Sequence, residues 1–200
     1  MRFQWWYSRL LPVIGVIAAF SVYPVPSAAQ EKPRTTFCIH DFQITGAQKL
    51  GSQGATNALR LKPGAKITDT ELDKAIDSLK LYYAQHGFIR VSVSAQKRAL
   101  ALDTAGKCLS IFLEVRVVEG RSYYIAAITF LGNATTKQAK LEKATGLRIW
   151  RPYNPGDISQ WIAGLNRLGR FAPVSEKDVS IRIDEEAAEA YVTFRLAEKR

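Results

Sequence analysis

Phe37-Cys38-Ile39-His40-Asp41-Phe42-Gln43-Ile44-Thr45-Gly46 and Tyr123-Tyr124-Ile125-Ala126-Ala127-Ile128-Thr129-Phe130-Leu131-Gly132 follow one pattern, 86 residues apart. In both, alternate apolar positions (Phe42 and Ile44; Ile128 and Phe130) lead to a terminal glycine, as in a half-buried strand stopped by a turn. A pattern that recurs at a fixed offset points to a duplicated structural unit, so each flank is read against its copy.

Downstream, the copies stay in step. A short helical stretch is predicted over residues 52–61 and again over 137–145, followed by Gly- and Pro-containing turns at Lys62-Pro63-Gly64 and at residues 150–156. A second helix opens at Thr68-Asp69-Thr70-Glu71, a capping box in which side chain and backbone satisfy each other, and repeats Leu72, Ile76, Leu79 and Tyr83 on one face. Its counterpart starts at Asn154-Pro155 and carries Ile158, Ile162, Leu165 and Leu168. Both helices stop near a glycine and an aromatic, Gly87-Phe88 and Gly169 with Phe171.

Two alternating runs then predict a hairpin in each copy: Ile89, Val91, Val93 and Ala95 with Leu109, Ile111, Leu113, Val115 and Val117, then Val179, Ile181 and Ile183 with Val192, Phe194 and Leu196. Matching Glu119 to Glu198 gives an offset of 79, so the second hairpin is 7 residues shorter, a difference expected in its loop. The order strand, helix, helix, strand, strand, twice over, predicts an α+β chain of two tandem βααββ modules, each a three-stranded sheet covered on one face by two helices. The boundaries read 36–119 and 123–200, with Gly120-Arg121-Ser122 as a joint too short to leave the modules independent.

Residues 1–29 read as an export signal. Arg2 and Arg9 flank Trp5-Trp6-Tyr7, Leu10 to Phe20 is apolar, and Ser27-Ala28-Ala29 offers small residues for cleavage. The apolar run is short of the ~20 residues of a bilayer span, although extending it to Val25 leaves an uncleaved anchor as the alternative. Losing this segment removes two arginines and lowers the net charge from +10 to +8. For an exported chain, that charge points to anionic lipid headgroups or acidic proteins and away from nucleic acid, or to a solvated surface with no dedicated partner. The pair Cys38 and Cys108 invites a disulfide in an oxidising compartment.

The chemistry of an enzyme is missing from the sequence. His86 is expected to complement a helix C-terminus, and His40 to pack partly buried on a strand. Two cysteines and two histidines lack zinc-ligand spacing, there is no Gly-x-Ser-x-Gly, and the glycine-rich residues 46–52 lack the arrangement of a phosphate loop. Asp184-Glu185-Glu186 reads as a solvated hairpin turn. No catalytic residue, metal or cofactor is expected.

Taken in order, Ile128-Thr129-Phe130-Leu131-Gly132-Asn133, the helix ends Tyr82-Tyr83-Ala84-Gln85-His86-Gly87-Phe88 and Leu165-Asn166-Arg167-Leu168-Gly169-Arg170-Phe171, and the strand end Val115-Arg116-Val117-Val118-Glu119-Gly120 resemble POTRA domains, the polypeptide-transport-associated modules, over about residues 36–200. The resemblance implies periplasmic modules N-terminal to an outer-membrane barrel, as in barrel-assembly factors and two-partner secretion transporters. Such modules bind unfolded or partly folded outer-membrane proteins and assembly-complex subunits, partly by adding a client strand to a sheet edge. The sequence departs from the pattern in carrying no barrel up to Arg200. The expectation is a free-standing, polypeptide-binding pair in the periplasm, with association to the outer membrane or its barrels open to it. The alternatives are an anchored scaffold of the division-protein type or a truncated transporter.

The resemblance also implies a mixed sheet with the third strand central and the second strand at an open edge. The edges are then residues 88–96 and 176–183, with Arg90, Ser92, Ser94, Ser180 and Arg182 facing outward, or serving as ordinary solvent-facing residues. The same topology brings Cys38 and Cys108 near each other. Parity opposes the bond, since Cys38 is in step with Phe42 and Ile44 while Cys108 is out of step with Leu109 and Ile111; a bulge would reconcile them, and two free thiols are the alternative.

Overall fold

A computed structural model describes residues 35–104 and 107–199. The expected export segment, residues 1–29, lies outside the described residues, and no described helix is long and apolar enough to cross a membrane.

The first module is β1 (Thr36–Thr45), α1 (Ser52–Leu59), β2 (Lys66–Thr68), α2 (Asp69–Gln85), β3 (Ser92–Asp103) and β4 (Cys108–Val118). The second is β5 (Tyr124–Leu131), α3 (Gln138–Thr145), α4 (Ile158–Arg167), β6 (Val179–Asp184) and β7 (Glu189–Arg195). The sheets run β2-β1-β4-β3 and β5-β7-β6. Each central strand, β4 or β7, is parallel to the first strand and antiparallel to its hairpin partner.

Each module has its own core. Ile39, Leu79, Tyr83, Ile111, Leu113 and Val115 are fully enclosed in the first; Leu141, Leu165, Val192 and Phe194 are enclosed in the second, where Phe130 stacks on Phe194 at 5.1 Å. Alternation along the central strands supplies one face of each core and the helical stripes supply the other, and a buried aliphatic side chain contributes about 1.5–3 kcal/mol. The entry to α2 is the expected capping box: Glu71 donates its N–H to Thr68 Oγ1, and Glu71 Oε2 accepts the N–H of Thr68 at 2.8 Å.

Gly46 and Gly132 end the first strands for a shared steric reason. Both have positive φ, +81° and +86°, and a Cβ on either would stand 2.0 Å from a carbonyl oxygen of the central strand's end, that of Val117 or Leu196. Only glycine fits so close a crossing.

The structure departs from the sequence reading at four places. The three residues of β2 add an antiparallel edge to β1, making a fourth strand. Residues 88–91 form a turn, with Phe88 buried, so β3 begins at Ser92 and not at Phe88. β3 then continues through Gln96-Lys97-Arg98 to Asp103, paired with β4 except at Leu100, where the register shifts by one residue. The length difference between the hairpins therefore lies in longer strands, because the charged run that resembles a loop is held by cross-strand partners. Likewise residues 176–178 are a single 3₁₀ turn, and β6 starts at Val179.

The bulge that would reconcile the two cysteines is present at His40, where the pairing of β1 with β4 skips a residue; β5 skips Ala126 against β7 at the equivalent place. His40 is exposed there and not packed. The extra residue reverses parity. Ahead of it Cys38 aligns with Ser110, on the face of Cys108; beyond it Phe42 and Ile44 align with the core residues Leu113 and Val115. Cys38 and Cys108 are joined as a disulfide, with Cα atoms 5.7 Å apart.

Candidate functional site

A sheet edge can accept another strand only if nothing of its own chain covers it. The outer edge of β1 is taken by β2. That of β5 is taken by the segment before α4: Trp150 donates its N–H to the Ile125 carbonyl at 2.8 Å, and Ile125 donates to the Arg151 carbonyl at 2.9 Å. Among the described residues, β3 and β6 are edge strands that carry no further strand, and the remaining edge of the first sheet is the three-residue β2.

Ser92 and Ser94 are exposed on β3, opposite Val118 and Arg116. Ser180 and Arg182 are exposed on β6, opposite Thr193 and Tyr191, and the Arg182 guanidinium lies 3.8 Å over the Tyr191 ring. Arg90 is not on either edge. It precedes β3, and its guanidinium donates to Glu185 Oε1 at 2.7 Å.

The two edges differ on their helix-facing sides. Lys97 lies in the β3 row of Val93, Ala95 and Ala99, paired to Leu113; its ammonium contacts Asp69 in the first turn of α2 and stands 4.3 Å over Phe37. An inward-facing charge on an edge strand discourages further pairing. On β6 the corresponding row is Val179, Ile181 and Ile183, packed on the second core. Beside it a groove of about 450 Å³ runs between β6 and the start of α4, lined by Pro155, Gly156, Ile158, Glu176, Val179 and Ile181.

The joint between modules is a built structure that sequence reading missed. Tyr123 donates its N–H to the Gly87 carbonyl at 2.9 Å, and Ser122 Oγ donates to the His86 carbonyl at 3.0 Å. Glu185 binds both the Tyr123 hydroxyl and Arg90, while Arg121 donates to the carbonyls of Glu185 and Glu186 at 3.1 and 2.6 Å. The Tyr123 hydroxyl, followed by Arg90, holds the Glu185 carboxyl below its ordinary range; the same hydrogen bond raises Tyr123. Ile89 from the first module packs on the second core. The signal available in the sequence was an acidic turn and an arginine 95 positions apart, which no local pattern connects.

His86 sits at the end of α2 with Nδ1 2.8 Å from the Tyr82 carbonyl oxygen. Among the described residues no group of three or more His, Cys, Asp or Glu is placed to hold a metal ion. The geometry offers hydrogen-bonding edges and a shallow groove, features suited to binding an extended chain.

The family model POTRA, described as a surface antigen variable number repeat, matches residues 38–120 and again residues 123–199. Among solved structures, the chain is similar to POTRA domains 3–5 of BamA from Haemophilus influenzae, with a TM-score of 0.57 at 16% identity, covering 84% of this chain and 68% of that one. It is also similar to BamA from Haemophilus ducreyi lacking POTRA domains 1–3, with a TM-score of 0.58 at 18% identity over 80% of this chain. The match spans 29% of that longer protein.

Proposed function

The chain belongs to the POTRA family, and from that premise we propose that it is a non-enzymatic periplasmic protein of outer-membrane protein assembly or transport that binds extended polypeptide segments by strand addition. In this reading residues 1–29 direct export, and the modules 36–119 and 123–200 present β3 and β6 to unfolded outer-membrane proteins or to assembly-complex subunits.

The observation that carries the reading is the open edge of β6 beside a groove of mixed polar and apolar lining that includes Ile158, Val179 and Ile181. A six-residue edge accommodates only a few backbone hydrogen bonds, each worth about 1 kcal/mol net. Side chains entering the groove add about 25 cal/mol for each Å² of apolar surface buried. Binding of this kind is weak and reversible, as handling a client in transit requires. The β3 edge, with Lys97 tied to Asp69, is the poorer acceptor.

Photo-crosslinking in intact cells tests this, with the crosslinker placed at Ser180, at Ser94 and at exposed Asp73 on α2 as a control. Capture of outer-membrane proteins or their assembly partners is expected to be strongest at Ser180 and absent at Asp73. Equal capture at all three positions, or none at Ser180, overturns strand addition.

A further inference from the structure

Trp150 occupies a backbone position that the fold reserves for glycine. Gly64 donates its N–H to the Ile39 carbonyl at 2.7 Å with φ +81°, and Trp150, 86 residues on, donates to the Ile125 carbonyl at 2.8 Å with φ +61°. The left-handed region is unfavourable for a bulky L-residue. Packing gives no compensation, because Trp150 is 67% exposed and its neighbour Ile149 is 51% exposed. A tryptophan that is strained in the backbone and bare in the side chain is explained by neither the fold nor the core.

Its surroundings supply the reason. Arg148 and Arg151 flank the pair and are exposed, and Lys137, Lys140 and Lys143 recur every third residue along exposed positions of and just before α3. None of these five cations forms an ion pair among the described residues, and Glu142, the one acid in the stretch, is bound by Gln138. The equivalent turn of the first module has Lys62-Pro63-Gly64-Ala65, with no apolar tip.

We propose that the loop 148–151 is a reversible anchor to a bilayer surface bearing anionic headgroups. Ile149 and Trp150 enter the boundary between headgroups and acyl chains, where an indole is at home, while Arg148 and Arg151 keep their charges at the phosphates. Two side chains are far too little surface for a protein interface, which needs about 800 Å² from each partner. A short apolar tip with nearby cations is sufficient for weak membrane attachment.

The test uses the full chain carrying Trp5→Phe and Trp6→Phe, so that emission comes from exposed Trp150 and buried Trp161. Vesicles of phosphatidylcholine containing phosphatidylglycerol should shift the emission to the blue, and brominated acyl chains should quench it; pure phosphatidylcholine should do neither. Arg148→Gln with Arg151→Gln should lower partitioning roughly thirtyfold, since two surface cations are lost. Trp150→Gly, which installs the residue used by the first module, should float less with anionic vesicles while melting no lower than the parent. No shift with anionic vesicles, or an equal shift with neutral ones, overturns the proposal. So does a Trp150→Gly chain that is folded and still floats fully through anionic lipid in the absence of residues 1–29.

Discussion

Glu119 holds the backbone of Lys49, accepting its N–H at both carboxylate oxygens, at 3.0 and 2.9 Å. The loop after the first strand is thereby tied to the end of the central strand. Glu198 repeats the bond in the second module by accepting the N–H of Thr135 at 2.7 Å. The hydroxyl partners differ. Glu119 also accepts the hydroxyl of Tyr83 at 3.0 Å, whereas Glu198 takes the hydroxyls of Thr135 and Thr136.

Tyr83 is fully enclosed, and its hydroxyl donates to Glu119 Oε1. Tyr83→Phe leaves the carboxylate with its backbone donor and should cost about 1–2 kcal/mol in denaturant unfolding. Glu119→Leu strands both the hydroxyl and the Lys49 N–H and should cost about 3 kcal/mol. Burial, then the hydrogen bond and charge of Glu119, raise the Tyr83 pKa above its ordinary 10.0. A raised folded-state pKa makes this contribution complete below that value and progressively lost as the pH climbs above it. Tyr83→Phe should flatten the alkaline limb of the stability curve; an unchanged limb refutes the assignment.

Glu198 has the opposite sign. Hydrogen bonds from the Thr135 and Thr136 side chains and the Thr135 N–H lower its carboxyl from 4.5 to about 2. Its stabilisation is present above 4.5 and disappears as the pH falls toward 2. Carbon-detected NMR titration should find this carboxyl the last to protonate among those resolved, and Glu198→Gln should remove the acid dependence in that window. A midpoint at the ordinary glutamate value would show that the threonines do not hold it.

The sequence carried the duplication, the order of elements and the two cores, because these depend on period and on turn residues repeated at a fixed offset. Its reading stayed open where one inserted residue changes register, and it missed contacts that span modules. The bulges at His40 and Ala126 have no composition signature, yet they decide the face on which Cys38 lies. The expected strand ends at Gln96, yet Lys97 and Arg98 continue it, paired with Leu113 and Phe112. Of the expected edge residues, Ser92, Ser94, Ser180 and Arg182 lie on β3 and β6, while Arg90 is drawn to Glu185.

The disulfide closes a loop with a sequence separation of 70. By restricting the denatured chain it should contribute about 4 kcal/mol. The pair Cys38→Ser and Cys108→Ser should lower stability by that order, and thiol labelling of the unfolded, unreduced chain should find no free thiol. Labelling of both cysteines would refute the bond.

Glu185 should govern how rigidly the modules are joined. Its carboxylate bridges Arg90 from the first module and Tyr123 from the start of the second. Because the ion pair is exposed, Glu185→Ala should move the melting temperature by no more than about 3 °C. The larger effect should be on orientation, since the backbone bond of Tyr123 to Gly87, the Ser122 contact, the Arg121 bonds to the backbone carbonyls of the acidic turn and the packing of Ile89 are then left to restrain the joint. Residual dipolar couplings measured separately on β4 and β7 should fit a single alignment tensor in the parent and two distinct tensors in Glu185→Ala. Arg90→Glu alone should behave likewise, and combining it with Glu185→Arg should recover part of the single-tensor behaviour. If Glu185→Ala still fits one tensor, the backbone and Ile89 suffice to fix the joint, and the carboxylate only decorates it.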